Sequence, residues 1–367
     1  MKLEKGIISN TQLMFLILSF MEFMVLSINM VYSISDKNTW VAILAAYALM
    51  IPIALGYTAI AKKYPGKDLV EINDAALGPC IGKIFSALYI WFFFEYMIHF
   101  FYYFNSFWIT YIMTETPRIV FIIMIMIVCA MAVKSGIETI ARCSVIFAFL
   151  VASMIAFTSI LLIKDMKFSN LLPVMDITPK DFIQSVHIIL TIPFCDILVF
   201  LMIFPYSDSN AQIRKPMLLA ISLSTALLLV VVLITTAVLG IRMSTSTSSS
   251  FAVTREIDIA EMLTRLDVLI ATTLLITVVM KITVFYYATV MGLAKMMKLR
   301  SYKPLIIPVG VIASAISANL YPSDMEQIYC AQYIWPFNAS VFEFLLPAIT
   351  LVVISVKSLL KKKGVPE

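Results

Sequence analysis

Seven ionisable side chains lie inside long apolar stretches of this 367-residue chain, and they are the first candidates for chemistry. They are Glu22, Glu95, His99, His187, Asp196, Lys281 and Glu343. A charged group at the centre of a membrane helix costs roughly 2.5–3.5 kcal/mol on insertion scales, and it usually faces the bundle interior or a wet cavity. Each of the seven is therefore a candidate binding, proton-carrying or gating group.

Two of the acids, Glu22 and Asp196, lie 174 residues apart, each near the middle of its apolar stretch. Pro193 cannot donate a backbone hydrogen bond and so predicts a helix break just before Asp196, whereas the first stretch has no Gly or Pro and predicts none. Carriers built from inverted repeats bind substrate at such breaks near the membrane midplane. The predicted ligand-binding residues are Ser19, Glu22, Thr191, Pro193, Phe194, Cys195 and Asp196. The alternative is that each acid only hydrogen-bonds a neighbouring helix.

Lys281 lies at the centre of an apolar stretch over residues 268–294, about 20 Å from either end. Thr277 and Thr273 precede it by one and two helical turns and extend the polar stripe on that face. The amine either pairs with a buried carboxylate or sheds its proton. We predict an ion- or proton-coupling or gating role for Lys281 and Thr277; a permanent Lys–carboxylate strut is the equally open alternative.

Glu95 and His99 form an i,i+4 pair on another apolar stretch. Polar residues continue this face at Tyr102, Tyr103 and Ser106. The stripe predicts a wet path or a docking edge inside the bundle, and we assign Glu95 and His99 to the same coupling or gating group. The alternative is a Glu–His hydrogen bond that only stabilises packing.

The remaining two ionisable groups, His187 and Glu343, lie near the ends of their apolar stretches, which suggests interfacial positions. No Walker loop, HExxH motif or nucleophile elbow occurs, so we predict no catalytic residues and no enzyme activity. The five cysteines show no CxxC or CxxH spacing, which predicts neither a metal site nor a disulfide framework. No cofactor is expected.

The composition of the chain indicates that these groups lie in a membrane rather than in water. Apolar residues make up 61% of the chain and charged residues only 13%, against about 45–50% and about 25% in soluble domains. This excludes a soluble enzyme, a nucleic-acid binder and a disordered chain, and it indicates an integral membrane protein. Ten apolar runs approach the roughly 20 residues that a membrane helix needs. They cover residues 12–34, 40–60, 84–113, 119–133, 140–163, 184–206, 217–241, 268–294, 304–320 and 337–356.

Charge placement supports ten spans. With both termini cytoplasmic, 18 of the 27 basic residues fall on the cytoplasmic side, as the positive-inside rule requires. The third run is the longest and the fourth the shortest in each half. This pattern predicts a single membrane domain over residues 1–367, with a first repeat at 12–163 and a second at 184–356. Because five spans is an odd number, the second copy enters from the opposite side, which makes the repeat inverted. Chance similarity of the lengths is the alternative.

Two segments outside the spans predict short helices. Residues 68–78 mix acids with apolar residues and predict a cytoplasmic surface helix. Residues 254–266 place apolar residues among charges, as would a helix lying over an outer vestibule; an ordinary interfacial helix is the alternative.

Several blocks of the sequence resemble the spore germination permease family, which comprises the B subunits of spore germinant receptors. The similar blocks are IDIAEMLTRLDVLI, VVMKITVFYYATVMGLAKMM, YKPLIIPVG and IPFCDILVFLMIFPY. The resemblance implies membership of the amino acid–polyamine–organocation superfamily and a LeuT-like fold. It also implies that Lys281 occupies the position where sodium-independent relatives hold a lysine near the vacated sodium site.

The resemblance further implies a function. The protein would sit in the inner membrane of the bacterial spore with receptor A and C subunits. It would bind a small germinant, an amino acid or a similar polar solute, at the midplane between spans 1, 3, 6 and 8, and it would signal germination. A proton-coupled amino acid permease is the alternative. The Gly-containing break that many members of the superfamily have in span 1 is missing, and Glu22 in its place suits a ligand with an amino or hydroxyl group.

Overall fold

The computed structural model describes residues 3–4, 6–208, 212–240, 242–245, 253 and 267–362. Its α-helices in chain order are α1 (Asn10–Met21), α2 (Met24–Ser27), α3 (Asn29–Ser35), α4 (Thr39–Lys63), α5 (Leu69–Leu77), α6 (Pro79–Phe107), α7 (Arg118–Ser135), α8 (Ile137–Leu162), α9 (Pro179–Ile189), α10 (Arg214–Leu239), α11 (Arg242–Thr245), α12 (Asp267–Met296), α13 (Lys303–Ser317), α14 (Asp324–Tyr329), α15 (Trp335–Ser340) and α16 (Leu346–Lys362). The only β-pairing in these residues is one isolated bridge between Ile8 and Ser207. The fold is all-helical, as predicted.

Eight helical segments among the described residues are long and apolar enough to cross a membrane, and α1 and α13 are shorter apolar helices. The protein is therefore a multi-pass membrane protein. Ten apolar segments are present, but two fall short of the spanning length, so the count of ten spans stays a prediction.

Two segments form the centre of the bundle. In their most apolar windows, Pro179–Met202 is 94% buried and Ala271–Met296 is 89% buried, whereas Ile137–Asp165 is only 22% buried. The sixth and eighth apolar runs are thus surrounded by protein, and the outer helices turn apolar side chains outwards. Helix α12 packs most extensively against α6, which brings the third and eighth runs together.

The first apolar run is interrupted, although it contains neither Gly nor Pro. A capping box between Ser9 and Gln12 starts α1. The α-helix ends at Met21, and Glu22 and Phe23 form a turn in which the Val25 amide bonds the Glu22 carbonyl three residues back. The sequence did not predict this interruption.

The sixth run breaks where Pro193 predicts it. Helix α9 ends at Ile189; the chain then widens into a π-helical turn over Leu190–Phe194 and tightens into a 3-10 helix over Cys195–Met202. Asp196 lies in the first turn of that 3-10 helix. The break is therefore set by a residue that lacks the amide an α-helix needs.

The last run is longer than predicted. It was expected over residues 337–356, but the helical segment extends from Asp324 to Leu360, with π-helical turns at Cys330–Ile334 and Val341–Leu345. The extension lies at the amino end, where polar residues and Pro336 obscure the apolar pattern. Its consequence is that Glu343 lies inside the helical segment rather than near its end.

The helix predicted over residues 68–78 is confirmed as α5, and its cytoplasmic position stays a prediction. Asp68 caps its start through a capping box with Glu71, and Gly78 ends it at a φ of 84°. Helix α5 packs closely on α6 because Gly82 has no side chain: a Cβ there would lie 2.6 Å from the Asn73 carbonyl oxygen. The second predicted helix, residues 254–266, lies outside the described residues.

Candidate functional site

A buried ion pair joins the two central segments. Lys281 Nζ of α12 lies 2.5 Å from Asp196 Oδ2 of the broken sixth run, and both side chains are fully buried. The sequence predicted that Lys281 would either find a carboxylate or shed its proton, and the structure supplies the carboxylate. Removing both charges from water is costly, so the pair depends on close contact.

Aromatic rings surround the ammonium group of this pair. Lys281 Nζ lies 4.6 Å from the ring centroid of Phe20, 5.4 Å from that of Phe23 and 5.2 Å from that of Phe100. A cation near ring faces at these distances is attracted by the ring quadrupole, most strongly where water is excluded. The first, third, sixth and eighth apolar runs therefore meet at Lys281.

A third ionisable group belongs to the same region, and sequence reasoning misplaced it. Glu343 was expected at an interface but is completely buried. Its Oε1 accepts a hydrogen bond from Tyr96 at 3.0 Å, and its backbone carbonyl accepts one from Tyr57 at 2.8 Å. The prediction failed because the helix extends further towards the amino end than the apolar pattern indicates.

Glu22 is buried at the interruption of the first run. It is 1% exposed, and neither of its carboxylate oxygens has a hydrogen-bond partner among the described residues. Ser19 precedes it by one turn and is likewise buried with an unpartnered hydroxyl. Buried polar groups without partners are costly and therefore rare, so this pair is a candidate for ligand or proton binding.

The other predicted ligand-binding residues are all buried in the sixth run. The Thr191 hydroxyl donates to the His187 carbonyl at 2.9 Å, within its own helix. The Cys195 thiol lies 3.5 Å from the Met50 sulfur. Pro193 and Phe194 complete the π-helical turn that precedes Asp196. Of this group, Asp196 alone makes a charged contact.

A cavity is lined by two of the rings that surround Lys281, Phe23 and Phe100. Its volume is about 70 Å³. Its aromatic walls are Phe23, Tyr96, Phe100, Tyr103, Tyr321 and Trp335. The other lining residues are Met30, His99, Ile192, Gln327 and Ala331. Phe23 and Phe100 line the cavity and also lie beside Lys281, so the cavity and the ion pair share these two rings.

The cavity walls came mostly from residues that the sequence did not single out. Phe23 and Ile192 belong to the two interruptions and are direct neighbours of predicted residues; His99 was predicted itself. The sequence did not identify Tyr96 and Trp335 as cavity residues, because residue type alone does not show whether an aromatic side chain in an apolar helix faces lipid, core or cavity. The position of Trp335 next to Pro336 was the available signal.

The polar stripe on α6 is a docking edge for the last helical segment. Asp324 accepts hydrogen bonds from Ser106, from Tyr102 at 3.3 Å and from Thr110 at 3.4 Å. His99 Nδ1 donates to the Glu95 backbone carbonyl at 2.7 Å.

The alternative interpretation, a side-chain hydrogen bond between Glu95 and His99, is not what forms: His99 bonds the Glu95 backbone instead. The Glu95 carboxylate instead accepts from Asn338 at 3.3 Å. The two side chains thus have separate partners, and both face the last segment: the His99 ring lies 4.4 Å from that of Trp335. Thr277 stays within its own helix, since its hydroxyl donates to the Thr273 carbonyl at 2.9 Å.

A second ion-paired cluster lies at the carboxyl end of α12. Lys295 of α12 pairs with the fully buried Asp68 and, at 2.9 Å, with Glu71. Burial raises the pKa of the Asp68 carboxyl, and Lys295 opposes that rise. The cluster ties the short helix α5 to the end of α12. Among the described residues no group of three or more His, Cys, Asp or Glu could hold a metal ion.

Comparison with known sequences identifies the family. A profile of the family described as spore germination protein matches residues 7–325. Spore germination protein KB of Bacillus subtilis (strain 168) is 26% identical over 330 residues, which cover 88% of this chain and 87% of that protein. The putative spore germination protein YfkT of the same organism is 25% identical over 334 residues, 90% of each chain.

Comparison with solved structures identifies the fold as LeuT-like. A substrate-bound, outward-open Na⁺-coupled sialic acid symporter superposes with a TM-score of 0.64 at 12% identity, covering 93% of this chain and 79% of the symporter. MhsT in complex with L-phenylalanine superposes with a TM-score of 0.66 at 13% identity, covering 93% and 97% of the two chains. The relatives are germination proteins and transporters, not enzymes.

Proposed function

Because this chain belongs to the spore germination protein family, we propose that it is the nutrient-sensing membrane subunit of a spore germinant receptor. The proposed ligand is a small germinant, an amino acid or a similar polar solute. One observation carries the proposal: an aromatic cavity lies against both helix interruptions and shares Phe23 and Phe100 with the surroundings of the buried Lys281–Asp196 pair.

Binding in this cavity would signal through the rings that it shares with the ion pair. Phe23 belongs to the interruption of the first run, where the regular hydrogen bonding of the α-helix is lost. A solute that shifts Phe23 or Phe100 changes the surroundings of Lys281, which links the sixth and eighth runs. A ligand moves such an equilibrium only by binding one arrangement more tightly than the other.

Several finer assignments belong to the same proposal. None of the predicted ligand-binding residues lines the cavity, so Glu22, Ser19, Thr191 and the Pro193–Asp196 segment respond to the solute through their neighbours Phe23 and Ile192, which do line it. Lys281, Thr277, Glu95 and His99 couple binding to movement. The chain works with receptor A and C subunits in the inner membrane of the spore, with both termini cytoplasmic and two five-helix repeats at 12–163 and 184–356.

A nutrient panel tests the proposal. The purified chain, alone and with A and C subunits, is heated in the presence of single amino acids and sugars while unfolding is followed. A true ligand at 100 times its dissociation constant stabilises the protein by about 2.7 kcal/mol. We expect one class of solute to raise the melting temperature. If no solute raises it in either preparation, the sensor proposal is wrong.

A proton-coupled amino acid permease is a second candidate, supported by the transporter fold and the buried ionisable groups. Sensing and transport require the same cavity and differ in whether both sides open. Proteoliposomes loaded with the stabilising solute separate them. A sensor gives binding without exchange, whereas sustained counterflow of labelled solute would establish the permease.

A further inference from the structure

A basic groove lies between α4 and α10, on the side of the molecule predicted to be cytoplasmic. Lys62 from the last turn of α4 lines it together with Arg214 and Lys215 from the first turn of α10, and its volume is about 510 Å³. We propose that this groove binds the phosphate headgroup of an anionic phospholipid from the adjacent leaflet.

Among the described residues, the three cations have no partner that explains their grouping. None of them makes an ion pair within the part of the chain that the structure describes, and all three side chains are exposed. The first turn of α10 contains no acidic residue, and no side chain caps the helix. A helix amino terminus carries a partial positive charge and favours anions. Arg214 and Lys215 lie at that end and are repelled by its partial positive charge. A bound phosphate would offset the repulsion.

The wall of the groove favours a lipid over a free anion. Leu218 and Leu219 line it beside the cations. Leu219 is 44% exposed and Leu223, one turn further into the membrane, is 45% exposed. A phosphate held by the cations therefore has an apolar track next to it along α10. Basic residues at the membrane surface attract anionic headgroups, and apolar residues beside them accept the acyl chain.

Lipid retention in native mass spectrometry tests the proposal. The full chain is exchanged into mixed micelles containing phosphatidylglycerol or phosphatidylcholine, and bound lipid is counted at increasing concentration. The test variant is Arg214→Ala/Lys215→Ala. The matched control is Arg300→Ala/Lys303→Ala, which removes two cations from the same predicted side of the membrane but not from this groove. Melting temperatures in lipid-free detergent establish that both variants are folded.

We expect native protein and control to retain phosphatidylglycerol in preference to phosphatidylcholine. The test variant should bind phosphatidylglycerol roughly 30-fold more weakly, at about fivefold for each lost cation. Equal binding by test and control variants would overturn the proposal and leave the cations as topology signals only. Competition by millimolar inorganic phosphate as strong as that by phosphatidylglycerol would also overturn it, in favour of a free-anion site.

Discussion

A double-mutant cycle on Asp196 and Lys281 tests the role of the buried ion pair. The variants are Lys281→Met, Asp196→Asn and the two combined. Removing one partner of a buried pair typically costs about 3–5 kcal/mol, because the other charge is left uncompensated. When both charges are removed neither partner is left uncompensated, so the double variant should cost much less than the sum of the two single variants.

The structure also predicts which single variant is worse. In Asp196→Asn the ammonium of Lys281 still faces Phe20, Phe23 and Phe100 at 4.6–5.4 Å. Such contacts contribute up to about 2 kcal/mol where water is excluded. In Lys281→Met the Asp196 carboxylate has no other cation in the described part of the chain within ion-pair distance. Lys281→Met should therefore be the less stable variant.

The assay is thermal unfolding of the purified variants in one detergent, combined with the germination response of spores that carry them. A folded double variant that does not respond to nutrient identifies the pair as a switch, and one that responds normally identifies it as a strut. Additive single effects, with a coupling below about 0.5 kcal/mol, would refute the assignment of a direct interaction between the two side chains.

Three further predictions address the contacts around the site. Gly82→Ala should destabilise the protein by about 1–3 kcal/mol, because the new Cβ would meet the backbone of α5 at 2.6 Å. In the control Gly56→Ala the new Cβ would lie near the Leu351 side chain only. Equal melting temperatures of the two variants would contradict this prediction. Asp68→Asn keeps the helix cap but loses the charge opposite Lys295 and should cost about 1.5–3 kcal/mol, with faster hydrogen exchange in α5. An unchanged exchange rate in α5 of the variant would contradict this prediction. Asp324→Ala should speed alkylation of Cys330 relative to the exposed Cys80, because the substitution removes the bonds that hold the start of the last segment to Ser106 and Tyr102. Peptide mass spectrometry measures the two alkylation rates. Unchanged relative rates would show that other contacts hold the segment.

The sequence predicted the parts of the site that depend on charge in an apolar environment. Asp196 and Lys281 were identifiable because a charge at the centre of an apolar run requires a partner or a function. Pro193 located the break in the sixth run because its missing amide has a local effect. The carboxylate that pairs with Lys281 could not be chosen from the sequence, since the choice depends on how the helices pack.

Other parts of the site left no local trace in the sequence. The interruption at Glu22 and Phe23 contains no helix-breaking residue, so no local signal marked it. Glu343 was misplaced because polar residues at the start of the last segment obscure its apolar pattern, although one of them, Asp324, is bonded to Tyr102 of α6. Cavity walls such as Trp335 could not be distinguished from lipid-facing aromatic residues by residue type alone.

The nutrient dose response of spores that carry Ala331→Leu tests the central claim most directly. Ala331 lines the cavity of about 70 Å³, so a larger side chain there occupies the space proposed for the germinant. The control is Ala87→Leu on the exposed surface of α6, with protein amounts in the spore membrane measured for both. We predict that the Ala331 variant requires at least tenfold more nutrient for half-maximal germination, while the control matches native spores. An unchanged dose response with normal protein amounts would show that the germinant does not bind in this cavity.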